Sequence, residues 1–228
     1  MITSRDNERL KLLRKLHDRR WRDKLGLFAV EGEDLVEAGI AAGLEPVDVL
    51  AGGEDVAAEL LAEVSALAHP PRVVAVFRRD DLPRGTRPVT LALLHVGDPG
   101  NVGTLLRAAD AFGAGLALSD GCADPTGPKA VRASMGSLFR VPLSGFDEPA
   151  GIRIALVPYG GIPLPELDSE GDVVLVLGSE RGGLSPEVLE RCDERASIPQ
   201  PGGVDSLNVA LAGAIALYEL ARRDANDR

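Results

Sequence analysis

Cysteine and histidine are scarce in this chain. Cys122 and Cys192 stand far apart, and His17, His69 and His95 are the only histidines. Neither cysteine belongs to a C-x-x-C pair or to a Cys/His cluster with metal-ligand spacing, which excludes a zinc-finger site and a disulfide-framed fold. Reduced thiols and no metal are expected, and the three histidines read as ordinary residues. No stretch of about eighteen consecutive apolar residues is present to cross a membrane. The opening segment MITSRDNERLKLLRKLHD is charged from its start and lacks the apolar centre of a secretory signal. The expected location is the cytoplasm, with no membrane partner. A G-x-x-x-x-G-K-[ST] loop is also missing, which disfavours nucleoside-triphosphate chemistry.

What is present is 228 residues, 45% of them hydrophobic, enough to bury one sizeable core or two small ones. The net charge of −10 argues against a protein that coats nucleic acid over its whole surface. That average hides a split: residues 1–28 hold nine Lys or Arg against four acids, a balance of +5, and the remainder carries −15. The basic end suits contact with a polyanion, although a solvated helix face accounts for it equally well.

Leu10, Leu13, Leu16 and His17 recur at helical spacing between Asn7 and Trp21, which predicts one amphipathic helix with a basic outer face. A small α/β unit follows: an apolar run at Leu27–Val30, a helix over Asp34–Ala42, Val47–Leu50, a second helix over Asp55–Ala68, and Val73–Phe77. Residues 79–88, charged and with two prolines and a glycine, read as a linker between an amino-terminal domain, 1–78, and a carboxy-terminal domain, 89–228. Beyond it, apolar runs at Val89–Val96, Gly115–Leu118, Ile152–Val157 and Val173–Leu177 alternate with helical patterns, predicting an α/β fold with a mostly parallel sheet. Ligands in such sheets bind at loops leaving the carboxyl ends of strands. Disorder is expected only over 224–228.

Three such loops carry polar residues. The first, GDPGNVGTLLR from Gly97 to Arg107, spaces its glycines as G-x-x-G-x-x-G, unlike the dinucleotide fingerprint, and places Asn101 where an N-cap belongs. The second, GSERGGLSP from Gly178 to Pro186, holds Glu180 in a glycine-rich turn and offers Ser185 as N-cap with Pro186 behind it. The third, SIPQPGGVDSLNV from Ser197 to Val209, sets Ser206 and Asn208 at the mouth of an apolar helix. Taken alone, each is accounted for by an ordinary strand-to-helix turn.

Taken together and in this order, N-x-G-x-x-x-R at Asn101–Arg107, L-G-S-E-x-x-G-L at Leu177–Leu184 and the SIP…DSLNV segment resemble the signature motifs of the SpoU branch of the SPOUT RNA ribose methyltransferases. Residues 1 to about 78, through ITSRDNERLKLLRKL and LFAVEGEDLVEAG, also resemble the ribosomal-protein-like RNA-binding domain often fused ahead of it. The resemblance implies an α/β-knot domain with a deep trefoil knot, an exception to the unknotted rule. It implies S-adenosylmethionine as methyl donor, held around Leu177, Gly178, Ile198, Pro199 and Leu207, with a homodimer completing the site. Asn101, Arg107, Glu180, Ser206 and Asn208 are the implied catalytic set. Arg107 is expected either to position a phosphate or to assist deprotonation of the ribose hydroxyl, the first being favoured because arginine scarcely loses its proton. Asn101 and Asn208 would orient the ribose and the loops, Ser206 would hydrogen-bond near the reacting centre, and Glu180 would anchor the site. Arg14, Lys15, Arg19 and Arg20 are expected to hold RNA phosphates, with Trp21 and Phe28 packing rather than stacking on bases. The substrate expected is RNA, ribosomal before transfer RNA. A noncatalytic RNA binder on the same fold is the rival.

Overall fold

The computed structural model describes residues 1–65, 71–168, 170–180, 182–202 and 206–226. The chain opens with two helices where one was expected, α1 (Glu8–Leu16) and α2 (Arg19–Leu25). Asp18 makes the break: its backbone is extended and its carboxylate accepts from the Arg20 amide, so it caps a new helix and does not continue the old one. α1 turns Leu10, Leu13 and Leu16 into a small core, and Gly26, at φ +64°, ends α2 in the left-handed region. There follow β1 (Leu27–Glu31), α3 (Glu33–Ala41), β2 (Asp48–Ala51), α4 (Ala58–Val64) and β3 (Val73–Arg78). The strands form an antiparallel sheet in the order β1-β3-β2. Of the helix expected over 55–68, residues 66–68 lie outside the described residues.

Residues 79–88 form a packed connection. One 3-10 turn spans Arg79–Asp81, Leu82 is buried, the Gly85 amide donates to the Leu143 carbonyl, and the Leu143 amide donates to that of Pro83. Leu82 is the apolar anchor in an otherwise charged segment, and a lone leucine gives no periodicity to read.

The rest of the chain runs β4 (Val89–Leu93), α5 (Pro99–Ala111), β5 (Gly115–Leu118), α6 (Pro128–Ser134), β6 (Leu143–Gly145), β7 (Ile152–Leu156), β8 (Ile162–Pro163), β9 (Val173–Leu177), α7 (Pro186–Glu190), β10 (Glu194–Ser197) and α8 (Val209–Asn226). Its seven strands pair parallel in the order β6-β5-β4-β9-β7-β10-β8. β4 and β9 run in register from Val89 opposite Val173 to Leu93 opposite Leu177, and β9 is buried along its whole length. Continuous apolar runs belong in strands covered on both faces. β9 enters between β4 and β7, and β10 between β7 and β8, so late segments sit inside the sheet and not at its edge. Parallel pairing puts the carboxyl ends of β4, β9, β7 and β10 on one rim. α8 runs to Asn226 although disorder was expected from 224; residues 227–228 lie outside the described residues.

One hydrophobic cluster crosses from the first sheet to the second. Phe28 and Phe77 lie 6.1 Å apart, and Phe139 completes the trio at 6.5 and 5.9 Å. All three rings are buried, and such aromatic contacts add to the area they remove from water.

Candidate active site

α5 begins at Pro99, and its N-cap is Asp98, not Asn101: the Asp98 carboxylate accepts the Asn101 amide at 3.0 Å and the Lys129 ammonium at 3.0 Å. The side-chain bond to Lys129, with the Asn101 amide behind it, holds the Asp98 carboxyl below its usual range. Asn101 therefore occupies the third position of the helix with its own amide group free for other work. That group donates to Glu180 Oε1 at 2.7 Å and accepts from Asn208 Nδ2 at 3.1 Å. Asn208 in turn caps α8, its Oδ1 accepting the Ala210 and Leu211 amides at 2.9 and 3.2 Å. The three loops are thus tied into one relay, Glu180 to Asn101 to Asn208. Of the five residues expected to be catalytic, these three meet directly.

The relay borders a cavity of about 570 Å³ lined by Leu177, Gly178, Glu180, Ile198, Ser206, Leu207 and Asn208. That volume suits a nucleoside-sized ligand. Gly178 is required where β9 ends: a Cβ there would lie 2.2 Å from the Gly183 carbonyl carbon and oxygen, because the turn doubles back with Ser179 bridging Gly183. Leu156, Ile198, Leu207 and Val209 give apolar wall for a base, and Gly178, Ser179, Gly182 and Gly183 of the glycine-rich turn line another part of it. Leu177, Gly178, Ile198 and Leu207 thus stand at the cavity as expected. Pro199 is exposed and does not line it, because successive residues beyond β10 face opposite ways; Gln200 lines it instead. Sequence reasoning also missed Leu156, Val157 and Pro158, though they end a run read as a strand, where ligands are sought. Arg181 and Gly203–Asp205, parts of the second and third motifs, lie outside the described residues.

Arg107 is not at this cavity. It lies six residues along α5 from Asn101, about 9 Å of rise and about a third of a turn round the helix. It is exposed and makes no hydrogen bond or ion pair among the described residues.

The expected RNA contacts divide. Arg20 is exposed and unpaired among the described residues, and Lys15 stands 5.1 Å from the Trp21 ring centre. Arg14 donates to the Arg5 carbonyl, and Arg19 to the Cys122 carbonyl at 3.1 Å. Lys24, unremarked in the sequence, covers Trp21 at 5.0 Å. Trp21 is half-buried under these two ammonium groups, while Phe28 is fully buried.

Three loops around a nucleoside-sized cavity at the rim of a parallel sheet, behind a small α/β unit that opens with two basic helices, form the arrangement of an RNA methyltransferase of the SPOUT class. Residues 88–218 match the SpoU rRNA methylase family, and residues 7–78 match an MRM3-like substrate binding domain. The chain belongs to the SpoU rRNA methylase family and is an S-adenosylmethionine-dependent RNA 2′-O-methyltransferase. It is 35% identical to an uncharacterized tRNA/rRNA methyltransferase of Synechocystis, over 97% of this chain and 93% of that one. It is 29% identical to the 23S rRNA (guanosine(2553)-2′-O)-methyltransferase RlmP of Bacillus subtilis, over 96% and 98%. The S-adenosylmethionine-bound rRNA methyltransferase from Sinorhizobium meliloti superposes with a TM-score of 0.86 at 31% identity, covering 98% of this chain and 97% of that one.

Proposed function

We propose that the chain methylates a ribose 2′-hydroxyl of large-subunit ribosomal RNA, with the relay of Glu180, Asn101 and Asn208 as the fixed part of its site. The observation that carries this reading is the convergence of three sequence-distant loops through two side-chain hydrogen bonds at the mouth of one cavity. S-adenosylmethionine supplies an electrophilic methyl on a sulfonium. Leu177, Gly178, Ile198 and Leu207 would hold that donor, and the ribose hydroxyl would give up its proton to solvent or a basic group as it took the methyl. Alignment along one line is then the main demand on the protein. Asn101, fixed from both sides, orients the ribose; Ser206, exposed at the cavity, offers a hydroxyl beside it; Glu180 holds Asn101 in place.

Arg107 serves the site of a second copy in a homodimer. Its guanidinium is unpaired among the described residues, and α5 and α8 present an exposed apolar stripe of Phe112, Leu211, Ile215 and Tyr218, with the Phe112 and Tyr218 rings 6.4 Å apart. A stripe of this kind marks an interface. Lys15, Arg20, Lys24 and Trp21 form the outward basic face that meets RNA phosphates. The boundaries 1–78, 79–88 and 89–228 divide these tasks, and the late strands β9 and β10 are read as the threaded end of a trefoil knot. A ribosomal substrate places the work in the cytoplasm, and the chemistry calls for no metal.

The test is to incubate the protein with labelled S-adenosylmethionine and ribosomal RNA, then digest the RNA to nucleosides. A 2′-O-methylated nucleoside supports the proposal. Label only in transfer RNA moves the substrate, a base-methylated product overturns the chemistry, and donor binding without transfer to either RNA favours a noncatalytic RNA binder.

A further inference from the structure

Gln200 stands three residues beyond β10, in the wall of the cavity, and its Oε1 atom is buried with no hydrogen-bond partner among the described residues. Buried side-chain acceptors are nearly always satisfied, and an orphan one costs stability. Ser144 Oγ is the other such atom among the described residues, and it lies on β6 away from the cavity lining. We infer that Gln200 reads the adenine of the methyl donor, its side-chain amide accepting from the exocyclic amine and donating to the adjoining ring nitrogen.

Two arguments select the adenine over the donor's other polar groups. An amide presents one acceptor and one donor edge, and adenine offers the matching pair; glutamine meets adenine in this way wherever the base edge is open. An ammonium offers donors only and would leave the Gln200 NH2 unmatched. The neighbours of Gln200 on the cavity wall, Leu156, Ile198 and Leu207, are apolar and suit a flat base. The terminal torsion of glutamine is broad, so the amide turns towards an arriving partner without leaving a preferred rotamer. The inference rests on the cavity being the donor site.

Calorimetry separates the two claims. S-adenosylhomocysteine and its purine-riboside counterpart, in which hydrogen replaces the exocyclic amine, are titrated into wild-type protein, Gln200→Leu and Gln200→Glu. Wild type is expected to bind the adenine ligand about five- to tenfold more tightly than the purine one, the equivalent of one neutral hydrogen bond. Gln200→Leu is expected to lose that preference while still binding both, and Gln200→Glu, which keeps an acceptor oxygen, to retain it. Equal discrimination by wild type and Gln200→Leu overturns the role of Gln200 and leaves the donor site standing. Failure of folded wild type to bind either ligand overturns the cavity assignment and this inference with it.

Discussion

Asn101 is gripped on one side by Glu180 and on the other by Asn208, so its orientation is over-determined. Replacing it with alanine removes two hydrogen bonds at a partly exposed position, expected to cost about 1 kcal/mol in urea unfolding. Methyl transfer is expected to fall far more, about a hundredfold in single-turnover assays, because a misplaced ribose forfeits alignment. Parallel losses in stability and rate would mean that Asn101 is only a loop tie. Arg107→Ala should show the opposite contrast: an unpaired surface side chain contributes within about 0.5 kcal/mol to stability, yet kcat/KM for RNA should drop, with Arg107→Lys restoring it only in part because the planar fork is gone. The meeting of Asn101, Glu180 and Asn208 was legible in the three motifs, whereas the place of Arg107 away from the cavity was not. Local roles were not legible either: the cap of α5 falls to Asp98, held in turn by Lys129 of α6, and that choice depends on where α6 comes to rest.

Helix α5 owes its place to Gly103. A Cβ at that position would lie 2.5 Å from Ala133 Cβ, 2.6 Å from the Ala130 carbonyl oxygen and 2.9 Å from the Ser134 amide nitrogen, so α6 rests directly on α5 backbone. Gly103→Ala is expected to destabilise by about 1–3 kcal/mol through overpacking, despite the better helix propensity of alanine; a stabilised variant in chemical denaturation would contradict this contact. Because the same helix carries Asn101 and Arg107, its seating sets both. The apolar stripe on α8 leads to a second expectation at this scale. If Arg107 serves a partner's site, mixing the inactive Arg107→Ala and Asn101→Ala variants should rebuild one working site in each mixed dimer and return measurable activity. A mixture as inactive as its components would tie Arg107 to its own chain. Strands such as β4 and β9 could be read from apolar runs, whereas the split of the first helix turned on a single cap at Asp18, which local periodicity overlooks.

At the scale of the molecule, the two units are joined by a buried electrostatic cluster as well as by the shared phenylalanines. Arg22 of α2, one of the nine basic residues of the opening segment, is buried: its side chain is 5% exposed and donates to Asp124, itself 4% exposed, at 2.8 Å. The rest of the Arg22 guanidinium donates to the Leu16 and His17 carbonyls, and Arg79 of the connecting segment reaches both Asp23 and Asp124. Asp124 lies beyond β5, so no local pattern in the sequence links it to residues about one hundred positions earlier. Burial alone would raise the Asp124 carboxyl, but the hydroxyl and amide of Thr126, with Arg79 and Arg22, together hold it below its usual range. Asp124→Ala would strand a buried guanidinium and is expected to cost about 3–5 kcal/mol. A carboxylate depressed in the folded state contributes stability that is complete above its unfolded value, about 3.9, and is lost as pH falls through the lower folded value. Asp124→Asn keeps the shape without the charge, so the stability gap between wild type and this variant should be constant from pH 7 to pH 5 and should narrow below about pH 4. Urea midpoints at several pH values measure it. A gap that persists unchanged into strong acid would show that hydrogen-bond geometry, not charge, locks the amino-terminal unit onto the methyltransferase domain.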